Sequence, residues 1–164
     1  WHTLSLHDAL PILVDIMLGK LAKWLRVMGY DTVYQSFYGA GDLETFMNRG
    51  RILLTRHRER AKLPGQSILL HKNRVGEQLA ELRRQVDLTP DPALRFSRCL
   101  RCNTLLREAP DATAREAVPE YVYYQNPGKI RFCPTCERHY WPGSHRIRME
   151  AQLRKWGLIN DHAG

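Results

Sequence analysis

Two Cys-x-x-Cys pairs, Cys99-Leu-Arg-Cys102 and Cys133-Pro-Thr-Cys136, carry the chemistry most easily read from this sequence. Each pair sets two thiolates on one tight turn, as two corners of a tetrahedron require, and the intervening chain is long enough for a hairpin to join the knuckles. Four sulfurs close the coordination sphere of one Zn²⁺. Such an ion contributes folding energy and offers no position to water or substrate. A redox pair or disulfides are the blander uses of these cysteines, and a matched second knuckle argues against both. His139 and His145 lie near enough in sequence to replace a sulfur, which four cysteines make unnecessary. With no other cysteine in the chain, a reducing, cytoplasmic setting is expected.

Two acids stand out earlier in the chain. Asp15 ends the apolar triplet Ile12-Leu-Val14, and Asp42 opens a helix after the Gly39-Ala-Gly41 loop. Carboxylates gathered at the carboxyl edge of a parallel sheet can hold Mg²⁺ or Mn²⁺ against phosphate oxygens. The same two positions are those of helix N-caps, and spacing alone leaves both roles open.

The charge is unevenly spread. The formal net charge is +8 and the pI near 9.6, which favours a polyanionic partner, nucleic acid first. Six Lys or Arg and one acid, Glu59, lie between Arg49 and Lys62, and this run includes Arg56, Arg58 and Arg60. Ala93 to Arg107, with Arg98 and Arg101, has four Arg and no acid; Arg138 to Lys155 has five Lys or Arg against Glu150 alone. These arginines are RNA-contact candidates whose binding would weaken steeply with salt, or else solvated faces. Tyr140 and Trp141 offer stacking surfaces for bases, or anchor a small module by packing.

The elements that must position these residues follow from apolar periodicity. Ile12–Val14 reads as a buried strand, followed by a helix with Met17, Leu18, Leu21, Leu25 and Met28 on one face and Lys20, Lys23 and Arg26 on the other, stopped at Gly29. Asp31–Tyr34, Ile52–Leu54 and Ser67–Leu70 read as further strands, and helices are expected over Asp42–Asn48 and Val75–Val86. The alternation predicts an α/β unit with a mostly parallel sheet. Tyr121–Tyr124 reads as a strand, and a last helix is expected from Ser144, as cap, to Trp156. No apolar run is long enough to span a membrane. Trp1 to Pro11 shows neither a secretory pattern nor a structural period and is expected to stand outside the native fold.

The run Leu13-Val-Asp-Ile-Met-Leu-Gly-Lys-Leu-Ala-Lys-Trp-Leu-Arg-Val-Met-Gly-Tyr-Asp-Thr32, followed by Gly50-Arg-Ile-Leu-Leu-Thr-Arg56, resembles the PIN-like domain of the Mut-seven C-terminal RNase family. Cys99-Leu-Arg-Cys-Asn103, Val118-Pro-Glu-Tyr-Val-Tyr123, Cys133-Pro-Thr-Cys136 and Tyr140-Trp-Pro-Gly-Ser-His145 are similar to the zinc ribbon that follows it. The resemblance runs from about Ile12 to Met149. It implies a PIN-like domain over 12–88, a zinc ribbon with a C-terminal helix over 89–156, and metal-dependent hydrolysis of RNA phosphodiesters. Asp15 and Asp42 then correspond to metal-ligating acids.

Where that family has a further acid, this sequence has His57. A neutral imidazole removes one hard oxygen donor and one negative charge. His57 can bind Mn²⁺ through nitrogen, Glu59 can substitute, or the site is silent. Two readings of function therefore stand: a Mg²⁺- or Mn²⁺-dependent ribonuclease, or a catalytically impaired module that binds RNA or a ribonucleoprotein. A protein partner is compatible with either, and the sequence gives no oligomeric state.

Overall fold

The computed structural model describes residues 10–160, which form two compact units divided after Phe96. In the first, three- and four-residue strands β1 (Ile12–Val14), β2 (Thr32–Tyr34), β3 (Ile52–Thr55) and β4 (Ser67–Leu69) make one sheet in the order β2-β1-β3-β4, parallel throughout. Leu13 and Leu53 project from one face onto Tyr38, Leu43 and Met47, the last two from helix α2 (Asp42–Asn48). Helices α1 (Gly19–Val27) and α3 (Val75–Arg83) pack on each other, and their buried leucines, with Ile12, Val14 and Leu54, complete the core. The alternating strand positions thus bury both faces of the sheet, as parallel sheets require.

At the amino ends of the strands, Arg51 forms a bidentate pair with Asp31 at 3.0 and 3.1 Å and also donates to the Ile12 carbonyl at 3.1 Å. Gly29 adopts φ +97° to stop α1, and a Cβ there would stand 2.5 Å from the Leu94 carbonyl oxygen. The Phe96 N–H donates to the Val27 carbonyl at 2.9 Å, so the Pro-containing connection expected after Leu88 packs on this unit as far as Phe96.

Several expectations are corrected. A 3₁₀ turn over Ile16–Leu18 precedes α1 and shifts the helical phase, which leaves Met17 66% exposed. Arg26, expected on the wet face, is buried and donates from Nε to the Thr32 carbonyl at 3.0 Å. Leu10 is buried, and the Pro11 carbonyl accepts from Ile52 N–H at 2.9 Å, so both belong to the fold. The rest of the N-terminal expectation, on residues 1–9, lies outside the described residues.

The second unit is built on three two-residue antiparallel strands, β5 (Arg107–Glu108), β6 (Arg131–Phe132) and β7 (His139–Tyr140), in that order. Tyr121–Tyr124 is not a strand. It lies within α5 (Glu120–Gln125), which follows α4 (Asp111–Ala117). Ala114, Val118 and Val122 recur every fourth residue and bury together with Ile130, an arrangement that outweighs the strand preference of the aromatics. Helix α6 spans Ser144–Lys155 with Gly143 at its cap, so Ser144 is its first residue rather than its cap, and Gly157 ends it at φ +73°. Among the described residues, no helix is long and apolar enough to cross a membrane.

Candidate functional site

The sheet order creates the first site. Chain leaves β1 toward β2 on one side and leaves β3 toward β4 on the other, so the carboxyl ends of β1 and β3 flank the crevice where parallel α/β sheets take ligands. Asp15 follows β1 directly, and its N–H continues the ladder to the Leu54 carbonyl at 3.0 Å. Its carboxylate is only 3% exposed, and both oxygens have partners. Oδ1 accepts from the Ile16 N–H at 2.8 Å and is ion-paired with Arg60; Oδ2 accepts from the Thr55 hydroxyl at 2.6 Å. Thr55 Oγ1 also accepts from the His57 N–H at 3.0 Å, so the last residue of β3 ties the acid to the following loop.

Tyr38, in the loop after β2, fastens that loop to the end of β1. Its hydroxyl donates to the Val14 carbonyl at 2.7 Å and accepts from the Gln35 N–H at 3.1 Å. Burial, reinforced by the Asp15 charge, pushes this phenol up to about 12, so it remains a proton donor. Next along the loop, the Gly39 N–H donates to Asp42 Oδ2 at 2.7 Å. Asp42 therefore braces the turn leading into α2, while its position at the head of that helix keeps it at the same sheet edge.

His57 and Glu59 are exposed, and Glu59 pairs with Lys62 at 3.2 Å. Arg56 is half-buried and donates to Asn73; Arg58 is exposed. Among the described residues, Asp15, Asp42, His57 and Glu59 contribute no group of three ligands within reach of one ion. Of these four, Asp15 alone is buried, and its cationic partner is Arg60. Spacing did not distinguish Thr55, Tyr38 and Arg60 from their neighbours. Only the strand order reveals that Thr55 and Asp15 face each other.

The second site is closed. The Sγ atoms of Cys99, Cys102, Cys133 and Cys136 all lie within 4.8 Å of one another, and the group can hold a metal ion. Cys99 approaches Cys136 at 3.4 Å and Cys102 approaches Cys133 at 3.3 Å, far longer than the ~2.05 Å of a disulfide. Around a Zn²⁺ with bonds of about 2.3 Å, tetrahedral sulfurs stand about 3.8 Å apart, so this cluster fits with small adjustment. The knuckles are built alike: Asn103 N–H donates to the Cys99 carbonyl and Glu137 N–H to the Cys133 carbonyl, each at 2.9 Å, with Asn103 and Glu137 both in the left-handed region.

The Tyr140 hydroxyl lies 3.1 Å from Cys99 Sγ and accepts from the Leu100 N–H at 3.2 Å. Burial opposes ionisation of Cys99, but this hydroxyl and the N–H groups of Cys102 and Arg101 outweigh it and lower the thiol to about 6. Tyr140 thus serves the sulfurs, and Trp141 packs beside Ala114, Val118 and Val122. Arg98 donates to the Asn103 carbonyl at 3.1 Å and shapes the first knuckle, whereas Arg101 is exposed at its tip. Neither His139 nor His145 joins the cluster.

The family model of the Mut7-C RNAse domain matches residues 11–153, covering both sites. The chain belongs to the Mut7-C RNAse domain family. No curated protein matches it. Membership in Mut7-C points to a ribonuclease-like function.

Proposed function

We propose that this Mut7-C protein is a metal-dependent ribonuclease, with Asp15 and Asp42 as the acids of its site and His57 and Glu59 on its rim. The observation that carries the reading is a buried carboxylate at the switch point of a parallel sheet, ion-paired with Arg60. Mg²⁺ or Mn²⁺ there would supply Lewis-acid stabilisation of charge on the phosphoryl oxygens. Asp15 and Asp42 would hold the ion, with Thr55 fixing the Asp15 carboxylate. Arg56, Arg58 and Arg60 would draw the RNA backbone to the crevice, and exposed Arg101 extends the basic surface of the cysteine-bearing unit.

The same edge carries unusual apolar exposure. Ile16, Met17 and Phe37 are 38%, 66% and 76% exposed, and all three lie in the loops that leave β1 and β2. The Tyr34 hydroxyl donates to the Ile16 carbonyl at 3.0 Å and ties these loops together. Unpaired bases stack on exposed aromatic faces such as that of Phe37. The four cysteines are read as a structural Zn²⁺ site, and the chain as a cytoplasmic protein in a reducing compartment.

The Arg60 pair and the imidazole of His57 favour a second reading, a module that grips RNA without cleaving it. Incubation of the purified protein with labelled single-stranded RNA and Mn²⁺ separates the two. Cleavage abolished by Asp15→Ala and by Asp42→Ala supports the enzyme; salt-sensitive binding without cleavage supports the module. Restoration of cleavage by His57→Asp in a silent protein would place the loss at that one residue.

A further inference from the structure

We propose that Arg60 is an internal counter-ion seated where a divalent cation binds Asp15, so that metal entry requires exchange of guanidinium for metal and frees Arg60 for substrate phosphate. The inference rests on the ribonuclease reading above, and extends it to how the site is kept when no substrate is present.

Asp15 is buried, and two of its three partners, the Ile16 N–H and the Thr55 hydroxyl, are neutral. Arg60 is its only ion-pair partner among the described residues. A carboxylate so far from water needs a compensating cation, and breaking a buried pair by removing one member is strongly destabilising. Arg60 meets that need from the surface. Its side chain is 33% exposed against 3% for Asp15, so it covers the acid from the solvent side.

The backbone beneath Arg60 is fixed while its side chain is long. Arg60–Lys62 forms a 3₁₀ turn, held by the Ala61 N–H on the His57 carbonyl at 3.1 Å and by the Ser67 hydroxyl on the Ala61 carbonyl at 2.7 Å. Side-chain rotation alone can therefore lift the guanidinium from Oδ1. A divalent ion cannot share that oxygen lone pair with Arg60; it compensates the carboxylate with one positive charge in excess, which an arriving phosphate offsets. The displaced guanidinium, still anchored at the rim, has the planar fork that suits a phosphate. Metal and phosphate then favour each other's binding by reciprocal linkage, because each removes one end of the Arg60–Asp15 pair.

The test is Mn²⁺ affinity of the zinc-loaded 164-residue chain, read by the loss of the free-ion electron paramagnetic resonance signal rather than by activity. Arg60→Gln should bind Mn²⁺ about tenfold or more tightly than wild type, since a charge-assisted competitor is gone. Arg60→Lys should fall between, and Asp15→Asn added to Arg60→Gln should erase the gain. Thermal unfolding supplies a second readout: Arg60→Gln should melt below wild type without metal and recover with Mn²⁺. If Arg60→Gln is unfolded when metal-free, Mn²⁺ should refold it. Unchanged or weaker Mn²⁺ binding by Arg60→Gln, a gain that survives Asp15→Asn, or an unfolded variant that Mn²⁺ does not rescue each overturns the proposal. Tighter Mn²⁺ binding with no cleavage by any variant would leave the counter-ion role standing and remove the ribonuclease reading. Cleavage with equal affinities would do the reverse.

Discussion

Thr55 holds two neighbours with one hydroxyl, donating to Asp15 and accepting from the His57 N–H. Valine has nearly the same shape and neither capacity. Thr55→Val should therefore cost about 1–3 kcal/mol in urea unfolding, because it strands a buried acceptor and weakens the loop after β3. A cost near zero would mean that water or Arg60 replaces the bond. At this scale the sequence was partly legible. Asp15 and Asp42 announce themselves by following a strand and heading a helix, and both serve as braces as well as candidate ligands. Arg60 does not stand out, since three arginines alternate along 56–60 and only the 3₁₀ turn after β3 brings one of them over a buried acid. Tyr140 likewise reads as either a base-stacking surface or a packing anchor until the fold carries its hydroxyl to Cys99.

Strands and helices were easiest to read where one local rule decided them. Ile12–Val14, Ile52–Thr55 and the seven-residue α2 are short apolar or capped segments bounded by turn residues, and they fall where periodicity puts them. Errors arose where two rules competed. The 3₁₀ turn before α1 breaks the 3.6-residue phase that placed Met17 inside, and a long side chain let Arg26 reach a backbone carbonyl from a buried position. The aromatic run in α5 has strand character, but burial of Val122 against Ala114, Val118 and Ile130 governs. Gly29 tests how firmly an element end is set. Gly29→Ala meets both a left-handed backbone and the Leu94 carbonyl oxygen at 2.5 Å, so a loss of about 1–3 kcal/mol or more is expected in thermal or urea unfolding. An alanine variant as stable as wild type would show that the 88–96 segment moves aside readily.

The molecule as a whole divides its stability between two unlike sources. The first unit has a sheet buried on both faces, whereas the second has two-residue strands and a small apolar cluster beside four cysteines. Metal binding in such modules is largely folding free energy. Treatment with a zinc chelator should therefore abolish hydrogen-exchange protection across residues 97–160 while amides of β1 and β3 stay protected; retained protection in the second unit would refute a structural metal.

Arg51 gives the sheet a further consequence. Strands of three residues have few ladder bonds with which to resist sliding, and a slide of one position would turn Asp15 to the opposite face. The guanidinium that grips Asp31 and the Ile12 carbonyl locks the register from the far end of the strands. Whatever chemistry occurs at the crevice is thus aligned by a clamp that never touches it.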